Sequence, residues 1–257
     1  MTETTIRRPI KWNTSADTNV GMVRQVNEDA IMTNPDVGLW AVADGMGGYE
    51  AGDVASKMIV TSLESIYKQE YLDDFVDEIE SKIFDANHRI LEYAQVMHDG
   101  RTLGSTVVSL LIKGQVGICM WAGDSRLYLL RNNQLQQISR DHSHVQELID
   151  QGQITKEEAG NHPDGNVITR AIGTSNDLYI DIKAFNVQVG DTFLLCSDGL
   201  YNSVNENEIE HYMRKHDTDE SVKQLIVSAL ENGAPDNVSI VMVKSVSEIT
   251  PNLSKAH

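Results

Sequence analysis

The stretch Trp40-Ala-Val-Ala-Asp-Gly-Met-Gly-Gly48 begins as an apolar run and stops abruptly at Asp44. The apolar residues from Leu39 to Ala43 predict a buried strand, and the glycines that follow predict a turn without side-chain bulk. A carboxylate at the end of a buried strand, with the Gly45 carbonyl beside it, suits a hard divalent cation. Asp-Gly is also among the commonest turn dipeptides, so an ordinary turn is the alternative for this stretch alone.

Three further aspartates stand at the edges of apolar runs. Asp124 and Asp198 follow such runs, and Asp236 precedes the last one. Four carboxylates that met without a counter-charge would repel one another, and divalent cations would remove that repulsion. Oxygen ligands without a His or Cys cluster favour Mg²⁺ or Mn²⁺ over Zn²⁺. From the residues alone, a shared metal site and four independent turn aspartates both stay open.

Composition narrows the class of protein. The chain has 257 residues, 40% of them hydrophobic, which is enough for one large domain with its own core. The net charge of −17 argues against nucleic acid and against anionic membrane surfaces as partners. Cys119 and Cys196 lie in apolar contexts, which favours buried free thiols over a disulfide. With no apolar signal region and no apolar run near the length of a membrane span, we expect a cytoplasmic protein.

Hydrophobic periodicity predicts groups of strands that are separated along the chain by pairs of helices. Two helical faces follow Gly48, one formed by Val54, Ala55, Met58, Ile59, Leu63 and Ile66 and the other by Phe75, Ile79, Ile83, Ala86, Ile90 and Ala94. Short strand-like pieces are predicted from Trp12 to Asp44. Further strands are predicted at 105–112, 116–122, 126–131, 168–171, 180–187, 192–196 and 238–243, and further helices at 145–149, 206–215 and 219–231. The tight connections between strands favour antiparallel neighbours, and therefore stacked sheets flanked by helices.

The chain shows no internal repeat or low-complexity linker, which favours a single domain. We expect that domain over residues 12–246, with a flexible arm over 1–11 and a tail over 247–257. The segment 140–167 is a polar insertion between strands, and such insertions are often lids or recognition flaps.

Seven short motifs, in order along residues 14–244, resemble those of the metal-dependent Ser/Thr protein phosphatases of the protein phosphatase 2C (PPM) type, in their compact bacterial form. They are Arg24-Gln-Val-Asn-Glu-Asp29, Val42-Ala-Asp-Gly-Met-Gly-Gly48, Leu103-Gly-Ser-Thr-Val107, Ala122-Gly-Asp-Ser-Arg126, Ile168-Thr-Arg-Ala-Ile-Gly173, Ser197-Asp-Gly-Leu200 and Asp236-Asn-Val238. The stretch 38–53 is also similar to stand-alone phosphatases associated with type VI secretion clusters. The resemblance implies an α+β fold, an α-β-β-α sandwich of two stacked, mainly antiparallel sheets flanked by helix pairs, with a metal cleft at the sheet edge.

The resemblance also implies the metal ligands. Asp44 corresponds to the ligand that bridges two Mn²⁺ or Mg²⁺ ions, and the Gly45 carbonyl to a ligand of one of them. Asp198 and Asp236 correspond to the other core carboxylates. Asp124 corresponds to the aspartate that holds a third, weaker ion in bacterial members. Two such ions can lower the pKa of a bridging water and present hydroxide to phosphorus.

Further residues are implied to support that chemistry. Arg24 corresponds to the phosphate-binding arginine, whose planar fork suits a phosphate dianion. Glu28, Asp29 and Asn237 are expected to orient the site and its waters. The catalytic set is thus Arg24, Asp44, Asp198 and Asp236.

The pattern departs from that of eukaryotic relatives at one position. Those relatives carry a histidine directly after the Asp-Gly pair, where this chain has Met46, which cannot donate a proton. His142 is a candidate donor in its place, although a lone His in a turn is more often only solvated.

We therefore expect direct hydrolysis of phosphoserine or phosphothreonine in protein substrates, opposing a bacterial Ser/Thr kinase, by a monomeric enzyme. Two alternatives stay open. One is a catalytically silent phosphoprotein-binding module that keeps the fold, and the other is a hydrolase of small phosphate esters.

Overall fold

Two antiparallel sheets form the centre of the molecule in the computed structural model, which describes residues 10–47, 51–160 and 162–247. The strands are Ile10–Asn19 (β1), Asp29–Asn34 (β2), Leu39–Met46 (β3), Gly104–Ser105 (β4), Val107–Lys113 (β5), Val116–Ala122 (β6), Arg126–Arg131 (β7), Gln134–Gln137 (β8), Asp181–Asn186 (β9), Thr192–Cys196 (β10) and Val238–Ser247 (β11). One sheet has the order β1-β11-β10-β7-β8, and the other has the order β2-β3-β5-β6-β9 with β4 beside β3.

Five of the seven helices in the described residues cover the outer faces of the two sheets. The helices are Gly52–Glu64 (α1), Leu72–Met97 (α2), His144–Asp150 (α3), Lys156–Ala159 (α4), Asp198–Ser203 (α5), Glu206–Lys215 (α6) and Thr218–Glu231 (α7). Helices α1 and α2 pack on the sheet that contains β3, and α5, α6 and α7 pack on the sheet that contains β10. None of the helices within the described residues is long and apolar enough to cross a membrane.

Alternation along β3 shows how the layers are built. Trp40 and Val42 belong to the core between the two sheets, whereas Leu39, Ala41 and Ala43 belong to the core under α1 and α2. All five side chains are fully buried, because both faces of this strand are covered. The predicted α-β-β-α sandwich of mainly antiparallel sheets is confirmed.

The helical periodicity predicted the core faces well. All six apolar positions predicted for the second helix are buried in α2, from Phe75 to Ala94. In the first helix Ala55, Ile59 and Leu63 are buried, whereas Val54 and Met58 are only half-buried. Both cysteines are buried free thiols, as expected.

The strand predicted at 168–171 is wrong. The segment makes one isolated bridge, between Ser143 and Ile168, and the residue after it makes another, between Ser105 and Ile172. Just beyond it, the buried Asn87 side chain of α2 accepts a hydrogen bond from the Gly173 amide at 2.6 Å and donates to the Ser175 carbonyl at 2.9 Å. A side chain, and not a neighbouring strand, therefore satisfies backbone groups just beyond the segment.

The end strands run slightly beyond the domain bounds of 12–246 predicted from the sequence. β1 begins at Ile10 and pairs Ile10 and Lys11 with β11. Its partner β11 runs to Ser247. Long cross-strand pairing extends both strands beyond their apolar runs. The rest of the arm and tail, and Gly48 of the opening motif, lie outside the described residues.

Three short elements were not predicted, namely β8, α4 and α5. Each has six residues or fewer, which is too short for a hydrophobic period to appear in sequence.

Replacing Ile79 by Ala should lower the free energy of unfolding by about 2–5 kcal/mol, because it leaves a cavity under α2. Ile79 is fully buried there. Val96→Ala provides the control on the same helix, since Val96 is 77% exposed and should change stability by less than about 0.5 kcal/mol. Urea unfolding of both variants measures the difference, and equal losses would contradict this packing.

Candidate metal centre

The hairpin of β2 and β3 places two aspartates opposite each other. Asp29 and Asp44 are direct cross-strand partners. Thr106, at the start of β5, fixes the backbone of Asp44 from the other side: its hydroxyl accepts from the Asp44 amide at 3.1 Å, and its own amide donates to the Asp44 carbonyl at 2.8 Å. Asp44 is thus held between two neighbouring strands.

The second sheet brings three more aspartates to the same edge. The end of β10 at Cys196 lies beside the starts of both β7 and β11, because both neighbours run antiparallel to it. Asp198 follows β10 as the first residue of α5, Asp124 precedes β7, and Asp236 precedes β11. Asp29, Asp124, Asp198 and Asp236 all raise the pKa of Asp44 through their charges, so the structure brings these carboxylates together.

Burial raises the pKa values of four aspartates in this cluster. Burial and the neighbouring carboxylates raise the pKa of Asp44 well above its ordinary value. Burial also raises the pKa of Asp29 and of Asp124 to about 7 each, and that of Asp198 to about 6. These carboxylates are costly to ionise where they lie, which is the situation that a bound cation relieves.

Two buried carboxylate oxygens lack a hydrogen-bond partner among the described residues. They are Oδ1 of Asp29 and Oδ1 of Asp198. Buried polar atoms are nearly always paired in proteins, and unpaired acceptors grouped with further carboxylates fit a hard cation as the missing partner. The donor set of oxygens without cysteine or histidine fits Mn²⁺ or Mg²⁺.

Glycine at position 45 is required by the crowding of the backbone. A Cβ there would lie 2.2 Å from the Gly52 carbonyl and 2.5 Å from the Glu28 carbonyl. The Gly45 amide donates to that Glu28 carbonyl at 3.1 Å. Gly45 therefore lets the backbone after Asp44 pass close to the start of α1.

Asp236 is held differently from the other aspartates. Its Oδ2 accepts from Arg24 Nη2 at 2.8 Å, and its Oδ1 accepts from the Asn237 amide at 2.9 Å. Among the described residues, no three His, Cys, Asp or Glu side chains form a group that could hold an ion as they stand. Arg24 and Asp236 are partly exposed, so this pair can open at little free-energy cost.

Glu28 and Asn237 fix the loop that carries Arg24. The Glu28 side chain accepts from the Gly52 amide at the start of α1 at 3.0 Å. The Asn237 side chain accepts from the Glu28 amide at 2.8 Å and donates to the carbonyls of Val20 and Val26. Asp29 is buried in the same region and accepts from the Ser197 hydroxyl at 2.8 Å. All three residues thus make hydrogen bonds that join the segments around the carboxylate cluster.

A network around Arg126 was not predicted, although Arg126 ends one of the motifs. Its guanidinium pairs with Asp141, with Nη2 2.7 Å from Oδ2, and lies 3.6 Å above the Tyr201 ring. The Tyr201 hydroxyl donates to the Asp124 carbonyl at 3.1 Å. The network thus joins the Asp124 turn to the segment predicted as a flap.

His142 is not a solvated turn residue. Its side chain is only 10% exposed, its ring stacks on Trp121, and Nε2 lies 3.3 Å from Asp181 Oδ2. Its Nδ1 accepts from the Gly123 amide at 3.1 Å. His142 therefore connects the flap segment to the turn of residues 123–125, which contains Asp124.

A cavity of about 420 Å³ lies beside the carboxylate cluster, with Asp124 in its wall. Gln146, His162 and Asn166 contribute from the flap segment, and Tyr201 lies opposite on α5. The cavity gives the flap segment a polar surface next to the site.

Comparisons with known proteins agree with this geometry. A profile of the protein phosphatase 2C family matches residues 22–237. The serine/threonine phosphatase Stp of Listeria welshimeri is 40% identical over 236 residues, covering 88% of this chain and 93% of its own length. The structure of PppA, a key regulatory component of the type VI secretion system in Pseudomonas aeruginosa, superposes with a TM-score of 0.85 at 40% identity and covers 91% of this chain and 98% of its own. The catalytic domain of the phosphatase PstP in complex with two manganese ions has a TM-score of 0.85 at 33% identity, covering 93% of this chain and all of its own.

Replacing Asp44 by Asn should separate carboxylate repulsion from metal binding. An acid whose pKa rises on folding destabilises the fold once the pH exceeds its ordinary value, here 3.8. At pH 7.5 without metal, Asp44→Asn should therefore unfold at the same temperature as the unaltered protein or higher. Mn²⁺ should raise the unfolding temperature of the unaltered protein by several degrees and leave that of the variant unchanged.

Asp36→Asn is the matched control, because Asp36 is exposed in the turn at the opposite end of the same hairpin. It should keep the full response to Mn²⁺ in a thermal unfolding measurement. A full Mn²⁺ response in Asp44→Asn would contradict the assignment of Asp44 as a ligand.

Proposed function

The chain belongs to the protein phosphatase 2C family, and we propose that it is a metal-dependent phosphatase that hydrolyses phosphoserine and phosphothreonine in proteins. The observation that carries this proposal is the cluster of buried aspartates with two unpartnered carboxylate oxygens at one edge of both sheets. We assign the activity to one domain over residues 10–247, since β1 and β11 pair along that full span.

The carboxylates at the sheet edge are the proposed ligands. Asp44, with the Gly45 carbonyl, together with Asp198 and Asp236 would hold two Mn²⁺ or Mg²⁺ ions, and Asp124 a third. The bound ions would supply positive charge that offsets the charge of the phosphate group and activates water as the nucleophile.

Arg24 is the proposed phosphate-binding residue. Its guanidinium is 52% exposed at the mouth of the site and pairs with Asp236. A phosphate dianion can replace the Asp236 carboxylate on the Arg24 guanidinium or share the guanidinium with it. Both anions present paired oxygens to the planar fork of the guanidinium. Arg24 would thus orient the phosphate against the carboxylate cluster and neutralise part of its charge.

The residues around the site have supporting roles in this proposal. Glu28, Asp29 and Asn237 hold the Arg24 loop and the buried end of β2 in place. Met46 has no proton to give, and the His142 ring is engaged by Gly123 and Trp121. We therefore assign the proton for the leaving oxygen to water.

The proposed partners are phosphorylated proteins and the Ser/Thr kinase that modifies them. Stp of Listeria welshimeri and PppA of Pseudomonas aeruginosa are each 40% identical to this chain, and of these two PppA is the one described as a component of type VI secretion. We therefore propose the role that does not depend on type VI secretion, which is dephosphorylation of proteins. A monomeric state and a cytoplasmic location are part of the same proposal.

Hydrolysis of p-nitrophenyl phosphate and of a phosphothreonine peptide tests the proposal directly. We expect turnover with Mn²⁺ or Mg²⁺, none with EDTA, and a higher kcat/KM for the peptide. Asp198→Asn should lower kcat by at least about 100-fold, since it removes a ligand and its charge. If well-folded protein hydrolyses neither substrate with any of the metals, a phosphoprotein-binding module is favoured. A higher kcat/KM for p-nitrophenyl phosphate than for the peptide would favour a small-ester hydrolase.

Arg24→Ala should lower kcat/KM for the phosphopeptide by about 10- to 100-fold, the range expected for charge-assisted hydrogen bonds. Arg24→Lys should recover part of that loss, because lysine keeps the charge without the fork. Arg89→Ala is the control, since Arg89 is an exposed arginine on α2. Steady-state kinetics measures all three, and unchanged kcat/KM in Arg24→Ala would show that Arg24 does not bind the phosphate.

A further inference from the structure

The loop of residues 20–28, which joins β1 to β2, is fixed by the segment before β11. Asn237 Nδ2 donates to the carbonyls of Val20 and Val26, at 2.9 and 3.1 Å. The Met22 amide donates to the Ala234 carbonyl at 2.9 Å. These are backbone and amide contacts, so they hold the loop without using the Met22 or Val23 side chains.

The same segment dictates the shape of the loop at its turn. Gly21 has a φ of +79°, and a Cβ there would lie 2.2 Å from the Asp236 carbonyl oxygen. Only glycine permits this close approach of the two backbones. The turn that follows therefore has a defined direction rather than a choice of conformations.

That fixed loop presents two large apolar side chains to solvent. Met22 is 65% exposed and Val23 is 67% exposed, although Val26 in the same loop is partly buried. Single exposed apolar residues are common on protein surfaces. An adjacent pair on a loop held by backbone hydrogen bonds differs, because binding to it loses little conformational entropy.

The position of the pair next to Arg24 identifies what would cover it. Consecutive Cα atoms are about 3.8 Å apart, so Met22 and Val23 lie within about 8 Å of the Arg24 backbone. Residues that flank a phosphorylated residue in an extended peptide lie at similar distances from it. The exposed Met22 and Val23 side chains and the Arg24 guanidinium belong to one short loop, so a peptide whose phosphate reaches Arg24 passes over or beside that loop.

We propose that Met22 and Val23 form an apolar docking surface for a hydrophobic side chain within two positions of the phosphorylated residue in a protein substrate. This inference rests on the proposed function and narrows its substrate class. The cavity at the flap is a more mixed surface, because charged residues such as Asp124, Asp141 and Glu206 line it together with Val145 and Ile149. The proposal therefore assigns the apolar contact next to the phosphorylated residue to the Arg24 loop.

The test compares three substrates with the double variant Met22→Ser/Val23→Ser. The substrates are a phosphothreonine peptide with leucine at the two positions on each side, the same peptide with serine there, and p-nitrophenyl phosphate, which has no flanking residues. In the unaltered protein the leucine peptide should have the highest kcat/KM. In the double variant, kcat/KM for the leucine peptide should fall about tenfold more than that for either other substrate, which corresponds to about 1.4 kcal/mol.

Val96→Ser/Met97→Ser is the matched control. It replaces the same two residue types, which are 77% and 62% exposed at the end of α2. This control should leave the order and size of all three kcat/KM values unchanged. The Mn²⁺ shift of the unfolding temperature should be retained in both double variants, which verifies that the metal centre is intact.

Two kinetic outcomes would overturn the docking surface. One is an equal loss for all three substrates in Met22→Ser/Val23→Ser, which would mean that the loop acts on Arg24 or on folding. The other is no preference for the leucine peptide in the unaltered protein. If the protein hydrolyses none of the substrates with any metal, the proposed function fails, and fluorescence anisotropy of the labelled leucine peptide still tests the surface. Weaker binding to the variant than to the unaltered protein and the control would support it, and equal binding would overturn it.

Discussion

Repulsion among buried carboxylates is the constraint on which the edge of the two sheets depends. Asp29, Asp44, Asp124 and Asp198 are all held where burial raises their pKa values, and two of their oxygens have no partner among the described residues. No fold gains stability from such an arrangement by itself, because each ionised carboxylate loses hydration and meets its neighbours. The rest of the structure must therefore hold these groups in place until a counter-charge is bound.

The sandwich supplies that rigidity. Three packed layers of apolar side chains lie on either side of the sheets and between them, and the strands next to the aspartates contribute buried side chains to these layers. Antiparallel pairing then brings the end of β10 beside the starts of β7 and β11, while the hairpin of β2 and β3 adds Asp29 and Asp44. The apolar core therefore supplies the stability of the fold, and the carboxylates that repel one another are confined to one edge of the sheets.

Hydrogen bonds and ion pairs between loops hold the surface segments around the carboxylate cluster in fixed positions. Asn237 holds the Arg24 loop by three bonds, and Arg126 joins the flap to the Asp124 turn through Asp141 and Tyr201. Both networks begin at residues next to, or within two positions of, a proposed ligand. Binding at the metal centre and the position of the surrounding loops are therefore physically connected, which suits a site that must recognise part of a large phosphoprotein.

The sequence by itself determined the layers and the chemical type of the site. Period-3.6 and strand-like runs are local signals, so α2, α6, β6, β7 and β10 were predicted closely. The seven motifs made the aspartates and Arg24 the candidate site residues. Tertiary contacts decide the short helix α5 and the irregular backbone at 168–171. Just beyond that segment, for example, the Asn87 side chain makes hydrogen bonds with the backbone of Gly173 and Ser175. The pairing of Asp236 with Arg24, the burial of His142 and the exposure of Met22 and Val23 also depend on which distant segments meet. Only the tertiary structure decides such contacts, because they join residues up to 212 positions apart, for which spacing along the chain carries no signal.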